Sequence, residues 1–302
     1  MRPFRVGEIL VSSFVEREGP WRAPTIMFPT AKQETAIKHL KTLPSEVYDK
    51  IENLLVITYQ TFVVRTLKHT ILIDTCVGEN KPYRGSALTY PKQAWLDGFA
   101  AHGLRFEDID YVFCTHLHVD HCGWNTRLIN GKWVPTFPNA TYIFGKKEYE
   151  AWEKAATKQN ENNTQSTVWE DSCVPIVEAG QAKLVDADFE LEDNIWLSPA
   201  FGHSPGQVCI NFKSNSRHAI FTGDMMHHPL QCLEPGWSTC FCSNPLEAAT
   251  SRRHILREVA DTDTIVIPAH FPGQTAGYVQ TSKNAWTWSY MAFDNGVPTR
   301  KE

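Results

Sequence analysis

The residues most able to do chemistry in this sequence lie in one short segment, residues 115–123. The segment supplies three imidazoles and one carboxylate, from His116, His118, His121 and Asp120. Zinc binds imidazole nitrogen and carboxylate oxygen, and its catalytic sites keep one position open for water. A solvated loop that happens to contain histidines is the alternative, but burying unpaired imidazoles beside an apolar strand is costly. The spacing therefore predicts that His116 and His118 meet one metal ion and that a second ion is left for the other two side chains.

Four other short motifs carry a histidine or an aspartate close to the end of an apolar run. Along the chain they are Leu-Ile-Asp-Thr at 72–75, Phe-Gly-His-Ser-Pro-Gly at 201–206, Phe-Thr-Gly-Asp at 221–224 and Ile-Pro-Ala-His at 267–270. Taken singly, each motif is weak, because a short match alone has a high chance of being accidental. Taken in order with segment 115–123, the motifs resemble those of the metallo-β-lactamase superfamily, whose signature is His-x-His-x-Asp-His.

The resemblance implies a role for each polar residue of these motifs. His203 is implied to be the third ligand of the first ion, and His270 the last ligand of the second. Asp224 is implied to bridge the two ions, and Asp74 to support the ligand loop from behind. Asp120 is implied to be catalytic as well, because it would both bind the second ion and orient the attacking hydroxide. The full set of implied metal ligands is His116, His118, Asp120, His121, His203, Asp224 and His270.

The same resemblance implies the fold class and the cofactor. The superfamily has an α/β fold, an αβ/βα four-layer sandwich with two central mixed sheets. The implied cofactor is two divalent metal ions, most often zinc, although manganese, iron and cobalt accept the same ligands. A hydroxide that bridges two such ions is a nucleophile at neutral pH. An iron dioxygenase of the superfamily needs only three ligands, whereas every position of a dinuclear site can be filled here.

The overall layout resembles the lactonase and methyl parathion hydrolase-like group of that superfamily. The shared features include a long N-terminal extension and a histidine, His227, soon after the bridging aspartate. The resemblance implies hydrolysis of a carboxylic ester or a lactone, with phosphotriester or β-lactam hydrolysis as the alternative. A metal-binding scaffold without turnover is the alternative outside enzymes. Lactonases often carry a tyrosine within the stretch that is Met225–His228 here, which disfavours a homoserine lactone.

The substrate pocket is predicted from side chains that neighbour the ligand motifs. Several of them are aromatic, which suits a small hydrophobic or aromatic ester or lactone. His227 and His228 follow the bridging aspartate closely, and they are predicted either to line the cleft or to belong to a simple polar loop. The predicted pocket residues are His227, His228, Trp124, Trp237, Phe241 and Phe271.

Apolar runs precede most of these motifs and indicate the elements that must position them. Strands are predicted at 54–59, 61–65, 70–74, 109–114, 208–212, 218–221 and 264–268. One helix is predicted from Pro91 to His102. A second is predicted to follow Asn244, because Asn244 can cap it while Pro245 and Glu247 suit its first turn. Alternating strands and helices fit sheets that are covered by helices on their outer faces.

Length and composition bound the remaining possibilities. The 302 residues are 42% hydrophobic and 21% charged, which predicts one globular domain over 1–302. Residues 1–50 are predicted to be an N-terminal extension that could mediate a homodimer, and 146–175 a surface insertion or lid. The net charge of −5 and the absence of a basic run disfavour a nucleic-acid partner.

Sequence signals for membranes and export are absent from this chain. No run of about 18 apolar residues exists, so no membrane span is predicted. The chain turns charged at 16–18 before an apolar signal region develops, which predicts a protein without a signal peptide. Of the eight cysteines, Cys240 and Cys242 are too close for an ordinary disulfide. Buried, reduced thiols and a cytoplasmic location are therefore predicted.

Overall fold

Two large β-sheets face each other in the computed structural model, and helices cover their outer surfaces. The described residues are 1–81, 88–156, 167–192, 194–294 and 297–300. The strands are β1 (Phe4–Val6), β2 (Ile9–Arg22), β3 (Tyr48–Asp49), β4 (Leu54–Arg65), β5 (Thr70–Ile73), β6 (Tyr111–Phe113), β7 (Thr126–Ile129), β8 (Lys132–Pro135), β9 (Thr141–Gly145), β10 (Ala182–Val185), β11 (Glu190–Glu192), β12 (Ile195–Pro199), β13 (Val208–Ser214), β14 (Arg217–Gly223), β15 (Ile265–Pro268), β16 (Gly277–Ser282), β17 (Ala285–Asp294) and β18 (Val297–Arg300).

The helices are short, apart from one at the back of the second sheet. The α-helices are α1 (Pro24–Met27), α2 (Gln33–Leu40), α3 (Gln93–Ala101), α4 (Val119–Cys122), α5 (Lys146–Ala156), α6 (Val174–Glu178), α7 (Leu230–Leu233) and α8 (Pro245–Val259). Three 3-10 turns lie at Ser45–Val47, Phe106–Asp108 and Gly123–Asn125, and a π-helical turn lies at Trp169–Cys173.

Both sheets mix parallel and antiparallel strands. The first sheet has the order β1-β2-β4-β5-β6-β9-β10, with β3 paired to β4. Its strands β5, β6, β9 and β10 are parallel neighbours, and the others are antiparallel. The second sheet runs from β11 to β18 in sequence order, with β14 and β15 parallel. The predicted four-layer αβ/βα sandwich with two central mixed sheets is therefore confirmed.

The alternation of side chains along each strand explains why the sheets stack. Successive residues of a strand point to opposite faces. In β5, Ile71 and Ile73 belong to the core between the sheets, whereas Leu72 belongs to the core beneath helix α3. The two sheets touch directly where Phe62 of β4 meets Phe221 of β14, with ring centres 5.0 Å apart. Burying both faces in this way removes most of the apolar area of the strands from water.

The predicted N-terminal extension, residues 1–50, is built into the first sheet. Its long strand β2 pairs with β4 from Leu10 opposite Arg65 to Arg22 opposite Leu55. This pairing satisfies the backbone donors and acceptors on one edge of β4. The extension therefore completes the sheet, and the homodimer predicted from it stays a prediction.

The two predicted helices form close to their expected bounds. Helix α3 begins at Gln93, two residues beyond Pro91. Helix α8 begins as predicted, with the Asn244 Oδ1 atom accepting a hydrogen bond of 3.2 Å from the Glu247 backbone N–H. The two strands predicted on either side of Gln60 are one strand, β4, because Gln60 is itself buried and hydrogen-bonded to Ser13.

The segment predicted as an insertion or lid, 146–175, begins with helix α5. Glu148 and Tyr149 of this helix are buried, and the Tyr149 ring centre lies 4.6 Å from that of Trp169. The first part of the segment therefore belongs to the core of the first sheet. The lid prediction also covers 157–166, which lie outside the described residues.

The cysteines are reduced and mostly buried. All eight cysteines lie within the described ranges and are free thiols. Six of them are buried, which confirms the prediction of buried thiols: Cys76, Cys114, Cys122, Cys173, Cys209 and Cys232. In the part of the chain that the structure describes, no helix is both long enough and apolar enough to cross a membrane.

Candidate metal centre

Each ligand motif follows the carboxyl end of a strand, and these ends meet along one edge of the sandwich. His116 follows β6, His203 follows β12, Asp224 follows β14 and His270 follows β15. Open α/β sheets generally bind ligands at the carboxyl ends of their strands. Only glycine fits at position 202 of this edge. Its φ is +119°, and the Cβ atom of any other residue would clash with the Ala248 backbone nitrogen, 2.1 Å away.

The first cluster contains His116, His118, His203 and Asp224, whose ligand atoms all lie within 4.8 Å of one another. The His118 Nδ1 and His203 Nε2 atoms are 2.9 Å apart. The Asp224 Oδ2 atom lies 3.1 Å from His203 Nε2 and 3.7 Å from His116 Nε2. The structure thus brings together the three histidines implied for the first ion, and it places two of them, His116 and His203, next to one oxygen of Asp224.

The second cluster contains Asp120, His121 and His270, whose ligand atoms also lie within 4.8 Å of one another. The other oxygen of Asp224, Oδ1, lies 3.2 Å from His121 Nε2 and 2.9 Å from His270 Nε2. The Asp120 carboxylate lies 3.7 Å from His121 and 3.6 Å from His270. One carboxylate therefore joins two clusters through its two oxygens, as a bridging ligand would.

The hydrogen bonding within the clusters tests whether these residues fit a pair of cations. Among the described residues, His116 Nε2, His121 Nε2 and Asp224 Oδ1 are buried without a hydrogen-bond partner. Such atoms are costly to bury unless something else satisfies them. Imidazole nitrogens and carboxylate oxygens are the donors that zinc accepts, so the set fits two divalent ions.

The pKa values show how strongly the cluster demands positive charge. Burial, with help from the neighbouring imidazoles, lowers the pKa of His116 and of His118 well below its ordinary value, so both are neutral. Burial alone would also lower the pKa of His121, but the charges of Asp224 and nearby aspartates raise it well above its ordinary value. In His203 the charge of Asp224 outweighs burial and raises the pKa to about 9. Without metal ions, the protonated His121 and His203 neutralise the carboxylates, which is the role that bound metal cations would take.

The second cluster is held from behind by two acceptors. The Asp74 Oδ2 atom lies 2.7 Å from His121 Nδ1, and the same carboxylate accepts hydrogen bonds from the Thr115 N–H and hydroxyl. Asp74 has φ of +54°, a left-handed conformation that is uncommon outside glycine and is found at functional sites. The Thr58 carbonyl lies 2.8 Å from His270 Nδ1. Both contacts leave the Nε2 atoms directed at Asp224, which is the arrangement expected of metal-binding histidines.

The first cluster depends on a residue that the sequence did not indicate, Glu148 of helix α5. Its carboxylate is 1% exposed and joins the two ligand loops. One oxygen accepts hydrogen bonds from the Leu117 N–H at 3.0 Å and from the Trp152 indole at 2.6 Å. The other oxygen accepts from the Ser204 hydroxyl at 2.8 Å and from the Gly206 N–H at 2.7 Å. Several acidic residues lie nearby in the sequence, so only the burial of this one distinguishes it.

A thiol supports the remaining histidine of the first cluster. The Cys242 Sγ atom lies 3.6 Å from His203 Nδ1, and the Thr239 hydroxyl lies 3.4 Å from the same sulfur. Cys242 is partly buried. The His203 ring that it contacts points its other nitrogen, Nε2, at Asp224. The outer contact of a ligand histidine is more often a carboxylate or a carbonyl, so no sequence pattern pointed to this cysteine.

The two histidines predicted for the pocket have different places. His227 lies at the metal centre, with Nε2 3.0 Å from Asp224 Oδ2 and its ring stacked on His270 at 5.2 Å. His228 points away, because its Nε2 bonds to the Val47 carbonyl at 2.9 Å and its Nδ1 accepts from the Leu230 N–H. Burial lowers the pKa of His228 to about 4, so it is a neutral framework residue. The prediction of a pocket role for His228 is corrected accordingly.

Three of the four predicted pocket aromatics belong to the core. Trp124 is 1% exposed, and its indole donates a hydrogen bond to buried Glu16. Phe271 is fully buried against Trp288, and Trp237 packs in the core beneath α1 and α2. These three residues lie close to the ligand motifs in sequence, but each packs against neighbouring apolar side chains and is therefore buried rather than exposed to the cleft. Phe241 is different: it is 40% exposed and its ring centre lies 6.3 Å from that of His227.

A tyrosine reaches the metal centre from a strand that carries no motif. Tyr59 of β4 is partly buried, and its ring packs edge-on against His270 with centres 5.6 Å apart. Burial and the charge of Asp120 raise the pKa of its phenol well above the ordinary value, so it stays protonated. No tyrosine follows Asp224 closely in the sequence. The fold instead brings Tyr59, from far upstream in the chain, next to His270.

Comparisons with known proteins agree with this geometry. A sequence profile described as the Metallo-beta-lactamase superfamily matches residues 56–270. The chain therefore belongs to the metallo-β-lactamase superfamily. A comparison with curated protein sequences finds no significant match.

Several solved structures share the fold over nearly the whole chain. AidC, described as a dizinc quorum-quenching lactonase in complex with a product, superposes with a TM-score of 0.80 at 19% identity, over 97% of this chain and 98% of AidC. A hydrolase named AbOPH, described as in the beta lactamase superfamily, gives 0.81 at 20% identity over 97% of each chain. A probable metal-dependent hydrolase from Staphylococcus aureus gives 0.72 at 18% identity, over 94% of this chain and 98% of that one. At these identities the likeness shows the fold.

Proposed function

We propose that this protein hydrolyses a carboxylic ester or a lactone with the help of two divalent metal ions, with zinc favoured. The observation that carries the proposal is the position of Asp224 between two clusters, one on each of its oxygens. The seven implied ligands fill both clusters, and His227 forms a further group with Asp224 and His270. The structural similarity to AidC, which is described as a dizinc lactonase, supports a lactone as one of the two candidate substrate classes.

The reaction uses the difference in exposure between the two ligand carboxylates. Two divalent ions, when bound, supply Lewis acidity and lower the pKa of a water to about 7. The Asp120 side chain is 17% exposed, whereas that of Asp224 is 3% exposed. Asp120 accepts a hydrogen bond from the attacking water and takes its proton as the new carbon–oxygen bond forms. It returns that proton to the leaving oxygen when the ester bond breaks.

Two surrounding groups complete the proposed site. The exposed ring of Phe241 offers an apolar wall to a small hydrophobic or aromatic acyl group. Tyr59 supplies a protonated hydroxyl on the His270 side, suited to donate a hydrogen bond to a substrate oxygen. The free thiols support the cytoplasmic location that we propose with this activity.

The test is hydrolysis by the full chain, loaded with zinc and, separately, with manganese or cobalt. The panel holds an aryl ester, a γ-lactone, a phosphotriester and a β-lactam, each assayed before and after metal removal with a chelator. We expect cleavage of the ester or the lactone that is lost with the metal, restored by adding it back, and abolished in Asp120→Asn. Cleavage that survives metal removal, or none with any metal, would contradict the proposal.

A further inference from the structure

Arg22, the last residue of β2, lies beside the only predicted pocket aromatic that is exposed. Its guanidinium carbon is 4.8 Å from the centre of the Phe241 ring. That ring lies 6.3 Å from His227, whose Nε2 is 3.0 Å from Asp224. One aromatic ring therefore separates a fixed positive charge from the metal centre. Arg22, Phe241 and Tyr59 are called the rim below.

The Arg22 guanidinium has no acidic partner among the described residues, although it is partly buried. Its contact with Phe241 uses the face of the ring and satisfies none of the five N–H donors that a guanidinium presents. A partly desolvated charge without a counterion is unfavourable unless a ligand supplies one. The nearest acidic residue on the same strand, Glu18, is engaged elsewhere, with the Thr58 hydroxyl at 2.7 Å and the Gly273 N–H at 3.2 Å.

Tyr59 adds a second donor on the same side of the centre. Within the part of the chain that the structure describes, its hydroxyl makes no hydrogen bond, and its ring is fixed against His270. The Tyr59 phenol therefore lies beside the second cluster. Its hydroxyl is suited to donate a hydrogen bond to a substrate oxygen there.

A second arginine, Arg17, comes from the same strand. Arg17 lies opposite Tyr59 in the pairing of β2 with β4, so the two side chains emerge on the same face of the sheet. Its guanidinium carbon stacks 3.6 Å from the Trp21 ring centre and 4.3 Å from that of Tyr90. Stacking of this kind fixes a guanidinium plane and leaves its charge in place. Strand β2 thus carries two arginines, Arg17 and Arg22.

We infer that the rim contains a carboxylate-binding subsite, in which the Arg22 guanidinium holds a second, non-reacting carboxylate of the substrate. The inference rests on the proposed function and names its substrate class: an ester or lactone that also carries a carboxylate. A guanidinium matches a carboxylate with two parallel hydrogen bonds, and such charge-assisted bonds are the stronger ones. Binding this remote carboxylate also holds the scissile carbonyl over the metal centre, so that part of the binding energy is used to orient the substrate for attack.

The test uses two esters that differ only at the end of the acyl chain. They are 4-nitrophenyl pentanoate and mono-4-nitrophenyl glutarate, in which a carboxylate replaces the terminal methyl group. The measured quantity is the ratio of kcat/KM for the glutarate ester to that for the pentanoate ester, with the zinc-loaded full chain. Arg22→Gln should lower this ratio at least about 10-fold, the loss expected for one charge-assisted hydrogen bond. Arg22→Lys, which keeps the charge without the fork, should lower it less.

Arg257→Gln, an exposed arginine on helix α8, is the matched control and should leave the ratio unchanged. A ratio that Arg22→Gln does not alter would overturn the inference. Binding of glutarate itself, measured by calorimetry, separates this failure from that of the proposed function. Arg22-dependent glutarate binding without turnover of either ester would sustain the subsite and refute the proposed function. Cleavage of both esters with equal glutarate binding by the wild type and Arg22→Gln would do the reverse.

Discussion

At the floor of the site, which is formed by the seven implied ligands, four of the five histidines have an outer hydrogen-bond contact. At the rim, the two donor groups have no hydrogen-bond partner among the described residues. Asp74 holds His121 at 2.7 Å, and Glu148 holds the loops of the first cluster. Arg22 and Tyr59, by contrast, offer donors that no described residue accepts. The floor is thus preorganised for ligands of fixed geometry, as metal ions are. The rim is left for a ligand that binds and leaves.

The largest expected effect breaks the floor at its shared residue. Asp224→Asn removes the charge that both clusters use, so both ions should be lost and turnover should fall by more than about 100-fold, the upper limit for outer-sphere partners. Elemental analysis and ester hydrolysis measure the two losses. Asp188→Asn, at an exposed aspartate, is the control and should keep both. Retention of two ions by Asp224→Asn would contradict the bridging role.

A smaller effect is expected from the support beneath the first cluster. Glu148→Gln keeps the shape of the side chain, but its amide cannot accept all four of the present hydrogen bonds. The affinity for the first ion should fall by about 10- to 100-fold, as it does for outer-sphere partners in general. A competition titration with a zinc chelator measures it. Glu150→Gln, exposed on the same helix, should bind as the wild type does; equal affinities in both variants would argue that Glu148 supports only the fold.

At the rim, Tyr59→Phe removes one hydroxyl and leaves the ring on His270 in place. We expect kcat/KM for the preferred ester to fall about 10-fold, the loss of one hydrogen bond to a charged or developing-charge oxygen. The metal content should stay at the wild-type value, since the floor is untouched. Tyr48→Phe, which loses a surface hydrogen bond to Asn53, serves as the control. A fall in metal content in Tyr59→Phe would place Tyr59 with the floor.

The smallest effect on activity is expected at His228, which is close to the floor in sequence but belongs to the framework. Its folded pKa of about 4 lies below the ordinary value of 6.5. Its neutral form therefore stabilises the fold above pH 6.5, and this contribution is lost as the pH falls towards 4. Between pH 7.5 and 5.0 the wild type should lose about 2 kcal/mol of unfolding free energy through this group. Urea unfolding of His228→Gln should show a correspondingly flatter dependence on pH; an unchanged slope would refute the assignment.

The floor could be predicted from the sequence because its residues lie in short motifs at strand ends. His116 and His118 are two residues apart on one loop, and the order of the later motifs supplied His203, Asp224 and His270. The two central mixed sheets followed from the same resemblance and are confirmed.

Apart from Phe241 and Asp74, the rim and the supports could not be predicted, because they depend on contacts between distant parts of the chain. Tyr59 and Arg22 come from β4 and β2, whose pairing brings them to the centre without any local pattern. Glu148 differs from its acidic neighbours only by burial. Trp124 and Phe271 show the opposite failure, since closeness to a motif in sequence placed them in the core. Aromatic residues beside a ligand motif are as suited to packing under the site as to lining it.

The most direct test of the central claim is an anomalous-difference map at the zinc edge, from crystals of the zinc-loaded protein. We predict two peaks, one on each side of the Asp224 carboxylate. The first should lie about 2.0–2.2 Å from His116, His118 and His203 nitrogens, and the second at similar distances from Asp120, His121 and His270. A single peak, or peaks away from Asp224, would contradict the account of a two-metal centre bridged by this residue.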